Sequence, residues 1–428
     1  MARRAIREFD GKRLLAQGLE KASGGRFRLD PRRVLVGPDT ALEALPKAHP
    51  WLLETRLVVK PDQLFGKRGK NKLLGLNLAF DEVKRWIGER MQKEITISQT
   101  TGQTTGRLTH FLVEPFIPHG RECYLGITTS KDHDSIFFSE KGGVDIEEAW
   151  DSVVETRVGL LEPRDQLAVN LPAGLAERET MQAFIRALYQ VFVEYHFTYL
   201  EVNPLALEQG KVLPMDLKAR LDDYATFQCG ELWAGEGGAA IEFPKPFGSV
   251  STPEERRVEE IDERTGASLK LTVLNPDGRI WNLVAGGGAS VIYADTVVDL
   301  GLSKELANYG EYSGDPSAED TYEYTRVVLS LMTRAPDAGK RPKFLLIGGG
   351  IANFTDVAST FTGIIRAIEE YRDKLRAVNA RILVRRGGPN FEAGLAKMRA
   401  LGERLGVPIK VFGPETHMTA IVRMVQEA

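Results

Sequence analysis

Apolar and polar positions repeat with one rhythm in the first half of this chain and with another in the second. Residues 4–20 set Ile6, Phe9, Leu14, Leu15 and Leu19 at near-helical spacing, which predicts an amphipathic opening helix. Leu57-Val58-Val59-Lys60 is a short β-type run stopped by Pro61-Asp62. Phe111–Ile117 is a second run, interrupted at Pro115, where the missing amide donor predicts an edge strand. Cys123–Ile127 is a third, and together these predict a mixed sheet with antiparallel character. Residues 178–195 carry Met181, Phe184, Ile185, Leu188, Val191 and Phe192 on one broad helical face. A strand pair follows, Tyr199–Leu205 and Lys211–Asp216, with Glu208-Gln209-Gly210 as its turn.

Residues 243–266 hold prolines and a charged run without a clean apolar face, which reads as a boundary. The resulting division is a first domain at 1–243, a linker at 244–268 and a second domain at 269–428. In the second domain the β runs Ile280–Val284, Lys343–Ile347, Arg381–Val384 and Ile409–Phe412 each end in a glycine loop. Helical periodicity follows each loop, near 289–300, 356–373, 391–405 and 416–427. Strand, glycine loop and helix in repetition predict a parallel, doubly wound sheet, which binds ligands where strand carboxyl ends meet helix N-termini.

At 428 residues the chain has room for two or three cores, at roughly 150 residues per domain. With Lys+Arg 56 against Asp+Glu 59, its net charge of −3 gives no general attraction for nucleic acid. Two distant cysteines, Cys123 and Cys229, argue against a disulfide framework and fit a reducing, cytoplasmic setting. No apolar h-region follows the basic start and no run of 18 apolar residues occurs, so neither a secretion signal nor a membrane span is expected.

Local chemistry then matters more than overall charge. Phe65–Lys70 packs three cations and two glycines into six residues, a loop able to wrap phosphates, or else a solvated basic turn. Strand alternation puts Glu201 and Asn203 on one face, and the hairpin brings Asp216 alongside. Three oxygen donors there suit Mg²⁺ bridged to a nucleotide, the plain alternative being an exposed polar sheet face. The glycine loops, with Asn353 and Thr355 at a helix start and Arg385-Arg386 at a strand end, suit a di- or tricarboxylate, although each alone is equally a tight turn. The six histidines show no HExxH and are taken as structural or surface residues.

Several segments, taken as a set, resemble the ATP-citrate lyase family. They are Lys60-Pro61-Asp62 with Lys67-Arg68-Gly69, Glu114–His119, Tyr199–Pro204, Leu283–Ser290, Glu311–Gly314, Ile351–Thr355 and Val384–Asn390. The resemblance runs from Ile6 to the C-terminus and is greatest to the separate A-type subunit. Citryl-CoA synthetase large subunits share the pattern closely, and succinyl-CoA synthetase β subunits more distantly.

The resemblance implies an α/β chain with an N-terminal ATP-grasp domain of two α+β lobes, then a Rossmann-like, citrate-binding domain. Carried over by position, Lys60, Arg68 and Gly69 would contact the phosphates of ATP, and Pro115, Ile117 and Glu122 its adenine and ribose. Asn203 and Asp216 would hold Mg²⁺, and Glu201 would act catalytically by steadying a visiting phosphohistidine. Gly314, Asn353, Thr355, Tyr371 and Arg386 would bind citrate, with Gly286, Gly287 and Gly288 lining the pocket. In this family the phosphohistidine belongs to a CoA-binding domain, and cleavage to a citrate-synthase-like domain. Neither pattern occurs here, so the expectation is a subunit that needs a partner, in a hetero-octamer with four copies of each.

Overall fold

The computed structural model describes residues 3–99, 102–143, 146–163, 167–208, 211–249 and 251–426. It divides into two compact units, Met1–Val250 and Ser251–Ala428.

The first unit is built on a seven-stranded antiparallel sheet. Its order is Arg3–Ile6, Leu217–Asp222, Phe197–Glu208, Glu122–Thr129, His133–Ser139 and Val154–Gly159, with Lys211–Pro214 also pairing to the long strand Phe197–Glu208. Helices Glu8–Ala22 and Arg178–Glu194 bury Leu14, Leu15, Leu19, Met181, Phe184 and Leu188 in the core of this sheet. Gly18 lets the two helices close on each other, since a Cβ there would press on Val191 and Tyr195. A second, four-stranded sheet runs Val34–Val36, Phe111–Pro115, Leu57–Pro61 and Gly75–Leu78, with helix Phe80–Gly88 completing a separate core. Two α+β lobes result, as the resemblance implies.

Two expectations need correction here. Residues 4–20 are not one helix: Arg3–Ile6 is an edge strand, and the helix begins only at Glu8. Its start is set from elsewhere in the chain, because the Asp62 carboxylate accepts the backbone amides of Glu8 (2.8 Å) and Phe9 (3.0 Å). Phe111–Pro115 is an interior strand and not an edge, flanked on both sides. Pro115 is tolerated because it is the last residue of the strand, opposite Leu57. The hairpin forms, with Glu208 opposite Lys211, while Gln209 and Gly210 of its turn lie outside the described residues.

The second unit holds a six-stranded sheet in the order Ser268–Val273, Asn308–Ser313, Ile280–Ala285, Phe344–Gly349, Arg381–Arg385, Ile409–Phe412. All neighbours are parallel except the first pair. Alternate residues face two cores. Trp281, Leu283, Leu345 and Ile347 pack under helices Ala318–Met332 and Val357–Glu370. Ile280, Val284, Phe344 and Leu346 pack under helix Gly287–Asp299. Helices on both faces make this the doubly wound, Rossmann-like unit expected.

The stretch 244–268, read as a linker, contains helix Pro253–Arg264. A Thr252–Glu255 capping box starts it, and Val258 and Ile261 sit three apart in the second core, a stripe too narrow to show among nine charges. Residues 416–427 hold only the short helix Ala420–Arg423, and Glu427 lies outside the described residues. Strand Asn308–Ser313 escaped the sequence reading because its interior positions are polar. Fully buried Asn308 accepts the Asn282 amide at 2.7 Å and returns its own Nδ2 to the Asn282 carbonyl at 3.0 Å. Asn282 Nδ2 donates to the Asn308 carbonyl at 3.3 Å.

Helices Ala318–Met332 and Val357–Glu370 cross at Gly363, where an added Cβ would collide with the Ala318 carbonyl and Thr321 Oγ1. Gly363→Ala should therefore destabilise the second unit by about 1–3 kcal/mol. Chemical denaturation checks this; an unchanged midpoint would mean that the crossing is looser than described.

Candidate functional site

The seven- and four-stranded sheets of the first unit line a cleft of about 460 Å³. Lys60 enters it from strand Leu57–Pro61, and Arg68 and Gly69 from the turn that follows. Pro115 and Ile117 come from the end of the neighbouring strand, and Glu122 from the large sheet. Glu201, Asn203 and Asp216 complete it, so all nine residues proposed for the nucleotide meet in one place.

Charge in this cleft is buried and paired. Lys60 Nζ donates to Glu8 Oε1 at 2.5 Å, and Arg68 donates to Glu8 Oε2 at 2.7 Å and to Asp216 Oδ1. Lys12 Nζ lies 3.0 Å from Glu8 and donates to Glu114 at 2.6 Å. Burial alone would push the Glu8 carboxyl up, but the Lys12, Lys60 and Arg68 charges hold it well below the ordinary carboxylate range. Burial would likewise lower the Lys12 ammonium, which Glu114 and Glu8 keep above its ordinary value. Glu201 is clamped by the Tyr199 hydroxyl on one oxygen and by Lys218 Nζ, at 2.8 Å, on the other. His119 spans the Ile117 carbonyl (2.9 Å) and Glu122 (3.0 Å).

In the second unit, glycine loops gather at the carboxyl ends of the parallel strands. Gly286, at φ 93, turns strand Ile280–Ala285 into helix Gly287–Asp299 and donates its amide to the Tyr312 carbonyl at 2.9 Å. Gly287 sits against Glu311, where an added Cβ would stand 3.0 Å from the carboxylate, while Gly288 faces open space. Gly314 lies in the next loop, and its neighbour Asp315 accepts the Asp356 amide at 3.4 Å, joining it to the loop of exposed Asn353 and buried Thr355. Ala352 in turn donates to the Gly387 carbonyl at 3.0 Å.

The two adjacent arginines differ. Arg385 spends its guanidinium on the carbonyls of Thr416, Gly349 and Pro414. Arg386 donates Nη1 to the Gly350 carbonyl at 2.5 Å and stands beside the buried Tyr312 hydroxyl, while its buried Nε has no partner. Tyr371 does not join this group. It follows the last turn of helix Val357–Glu370, whose first turn Thr355 precedes, about 21 Å away along the axis. There it packs in the core with Lys374 Nζ 4.9 Å from its ring.

Both architectures match described families. Residues 2–233 match the ATP-citrate synthase ATP-grasp domain, and residues 249–428 match ATP citrate lyase citrate-binding. The chain belongs to the ATP-citrate synthase family. It is 49% identical to the Arabidopsis thaliana ATP-citrate synthase alpha chain protein 2, over 99% of this chain and 98% of that one. The Homo sapiens ATP-citrate synthase is 46% identical over 99% of this chain, which spans 38% of the human protein. Among solved structures, ATP citrate lyase from Methanothrix soehngenii in complex with citrate and coenzyme A superposes with a TM-score of 0.90, at 49% identity and full coverage of both chains.

Three charged residues paired with the cleft cations, Glu8, Lys12 and Glu114, were given no role by the sequence reading. Their one visible signal is Glu8 and Lys12 four apart at a helix start, a pairing ordinarily found on solvated faces. The donors proposed for Mg²⁺ fit that ion. A carboxylate and an amide oxygen are hard ligands, and the backbone ties them together, Asn203 N donating to the Asp216 carbonyl at 3.1 Å. Asn203 Oδ1 accepts the Gly143 amide at 2.6 Å, and Asp216 accepts Arg68. Among the described residues no helix is long and apolar enough to cross a membrane.

Asp62, the buried cap of the opening helix, is raised to about 6, first by burial and then by the Glu8 charge. Its neutral form is therefore favoured by folding, and the stability it contributes is present at low pH and lost as pH rises through about 6. Between about pH 4 and pH 7 the wild type should lose roughly 3 kcal/mol relative to Asp62→Asn. Parallel denaturation curves for the two proteins across that range would refute this.

Proposed function

We propose that this chain is the ATP- and citrate-binding subunit of an ATP-citrate lyase, converting citrate, CoA and ATP into acetyl-CoA, oxaloacetate, ADP and phosphate together with a partner subunit. The observation that carries this reading is the full-length likeness to an archaeal ATP citrate lyase described with citrate and coenzyme A. The paired-charge cleft and the glycine loops at the strand ends support it.

In the first site, Lys60, Arg68 and the Gly69 backbone meet the phosphates of ATP, while Pro115, Ile117 and Glu122 border adenine and ribose. Asn203 and Asp216 would hold Mg²⁺, which neutralises phosphate charge when bound. The γ-phosphoryl group passes to an imidazole nitrogen of the partner's histidine, with ADP leaving. Glu201 steadies that imidazole, its own orientation set by Tyr199 and Lys218.

The phosphoryl group then moves to a citrate carboxylate held in the second site. Gly286, Gly287 and Gly288 form its floor, with Gly314, Asn353, Thr355 and Arg386 around it. Helix N-termini and a guanidinium are the complement of a tricarboxylate, and an acceptor oxygen is what Arg386 Nε lacks. The CoA thiolate, bound mainly by the partner, displaces phosphate from citryl phosphate to give citryl-CoA. Carbon–carbon cleavage on the partner's citrate-synthase-like domain completes the reaction. The two buried, unpaired cysteines support a cytoplasmic setting, and the family resemblance supports a hetero-octamer with four copies of each subunit.

Citrate at a hundredfold excess over its Kd should stabilise the purified chain by about 2.7 kcal/mol, and succinate should not. Arg386→Gln should abolish that shift without changing the unliganded midpoint by more than about 1 kcal/mol. A shift with succinate alone would replace this reading with a succinyl-CoA synthetase β-type activity. In the assembled complex, Asp216→Ala should lower acetyl-CoA formation at least about a hundredfold, the loss of a Mg²⁺ ligand raising the barrier by several kcal/mol. Undiminished turnover would remove Asp216 from the site.

A further inference from the structure

Behind the cations of the cleft lies one charged group that bonds both Lys60 and Arg68 and has no role yet. Glu8 is 4% exposed, buried as deeply as the cations it holds. Its two oxygens reach Lys60 at 2.5 Å, Arg68 at 2.7 Å and Lys12 at 3.0 Å. The cluster balances without a ligand: Lys12, Lys60 and Arg68 on one side, Glu8, Glu114 and Asp216 on the other. Of the three carboxylates, Asp216 is 30% exposed at its side chain and Glu114 13%, whereas Glu8 is 2% exposed. Glu8 is also fixed at its backbone, because its amide is the one that Asp62 caps.

We propose that Glu8 is a positioning residue for phosphoryl transfer: it is the permanent counter-anion that aims Lys60 and Arg68 into the cleft and stays in place when phosphates arrive. Asp216, the most accessible of the three carboxylates, bonded to Arg68 with Lys60 3.9 Å away, is the one that gives up Arg68 to the incoming phosphate. Glu8 then does two opposing things. It fixes the direction of two donors, which favours transfer, and it offsets part of their charge, which weakens ground-state attraction for a polyphosphate. A side chain that served only to hold the fold together would have neither effect separately.

This inference rests on the nucleotide site described above, and its test separates the two. Calorimetric titration of the purified full chain with Mg-ATP is paired with phosphoryl-transfer rates in the complex with its partner. Glu8→Gln keeps the shape but removes one negative charge, and one acceptor oxygen with it. Expected are Mg-ATP binding about fivefold tighter than wild type and a transfer rate at least about tenfold lower. Glu8→Asp, which keeps the charge one methylene further back, should bind Mg-ATP as the wild type does and transfer at an intermediate rate.

Weaker binding together with slower transfer in Glu8→Gln would overturn the proposal in favour of a structural role. Unaltered binding and transfer would overturn it outright. Should Glu8→Gln not fold, Glu8→Asp decides: wild-type affinity with slowed transfer supports the assignment, and wild-type values of both refute it. A wild-type chain that fails to bind Mg-ATP overturns the nucleotide site itself, and this assignment with it.

Discussion

Buried charge must be paired, and in this chain that requirement organises the first unit. An ammonium or carboxylate taken from water costs several kcal/mol, and only close partners with good geometry recover it. Lys60 and Arg68 are buried to 4% and 7% exposure at the cleft between the seven- and four-stranded sheets. That burial demands an anion at the same depth, and the opening helix supplies it from the start of the chain. The helix can do so because Asp62, two residues beyond Lys60, caps its first turn. The segment carrying the cation thus also places the carboxylate that the cation needs.

The second unit solves an equivalent problem with backbone instead of side chains. Helix N-termini and glycine loops present amides where parallel strands end, so a carboxylate ligand needs few charged residues. Arg385 and Arg386 mark the division of labour. Adjacent in sequence and both buried, one is consumed in bonding three carbonyls, at the end of strand Phe344–Gly349 and in the loop after Ile409–Phe412, and the other keeps a donor in reserve. Without the first, the carbonyls of Gly349, Pro414 and Thr416 would lose the guanidinium they share.

Much of this was legible in the residues, for identifiable reasons. Glu201, Asn203 and Asp216 converge as expected because strand alternation and a short hairpin are local rules, whereas Lys60 and Arg68, from another sheet and its following turn, were joined to them by the resemblance. Glu8 and Lys12 were invisible because their partners lie 52 and 102 residues away, and a helical Glu–Lys pair looks like solvated surface. Strand Asn308–Ser313 was hidden by its polar interior, and the helix Pro253–Arg264 by charges that crowd two apolar positions. Tyr371 was carried over by resemblance, and the length of one helix separates it from the loops it was assigned to.

The reciprocal amide pair of Asn282 and Asn308 has a consequence for how the parallel sheet finds its register. A strand whose alternate residues face two hydrophobic cores can slide by two positions without exposing any of them, so apolar patterning alone leaves that slip almost free. Sliding here would break three hydrogen bonds at once and leave two amides in a dry interior. A polar pair at the centre of the sheet therefore acts as a key in a lock: it adds little to the stability of the correct alignment, but it penalises the nearest wrong one.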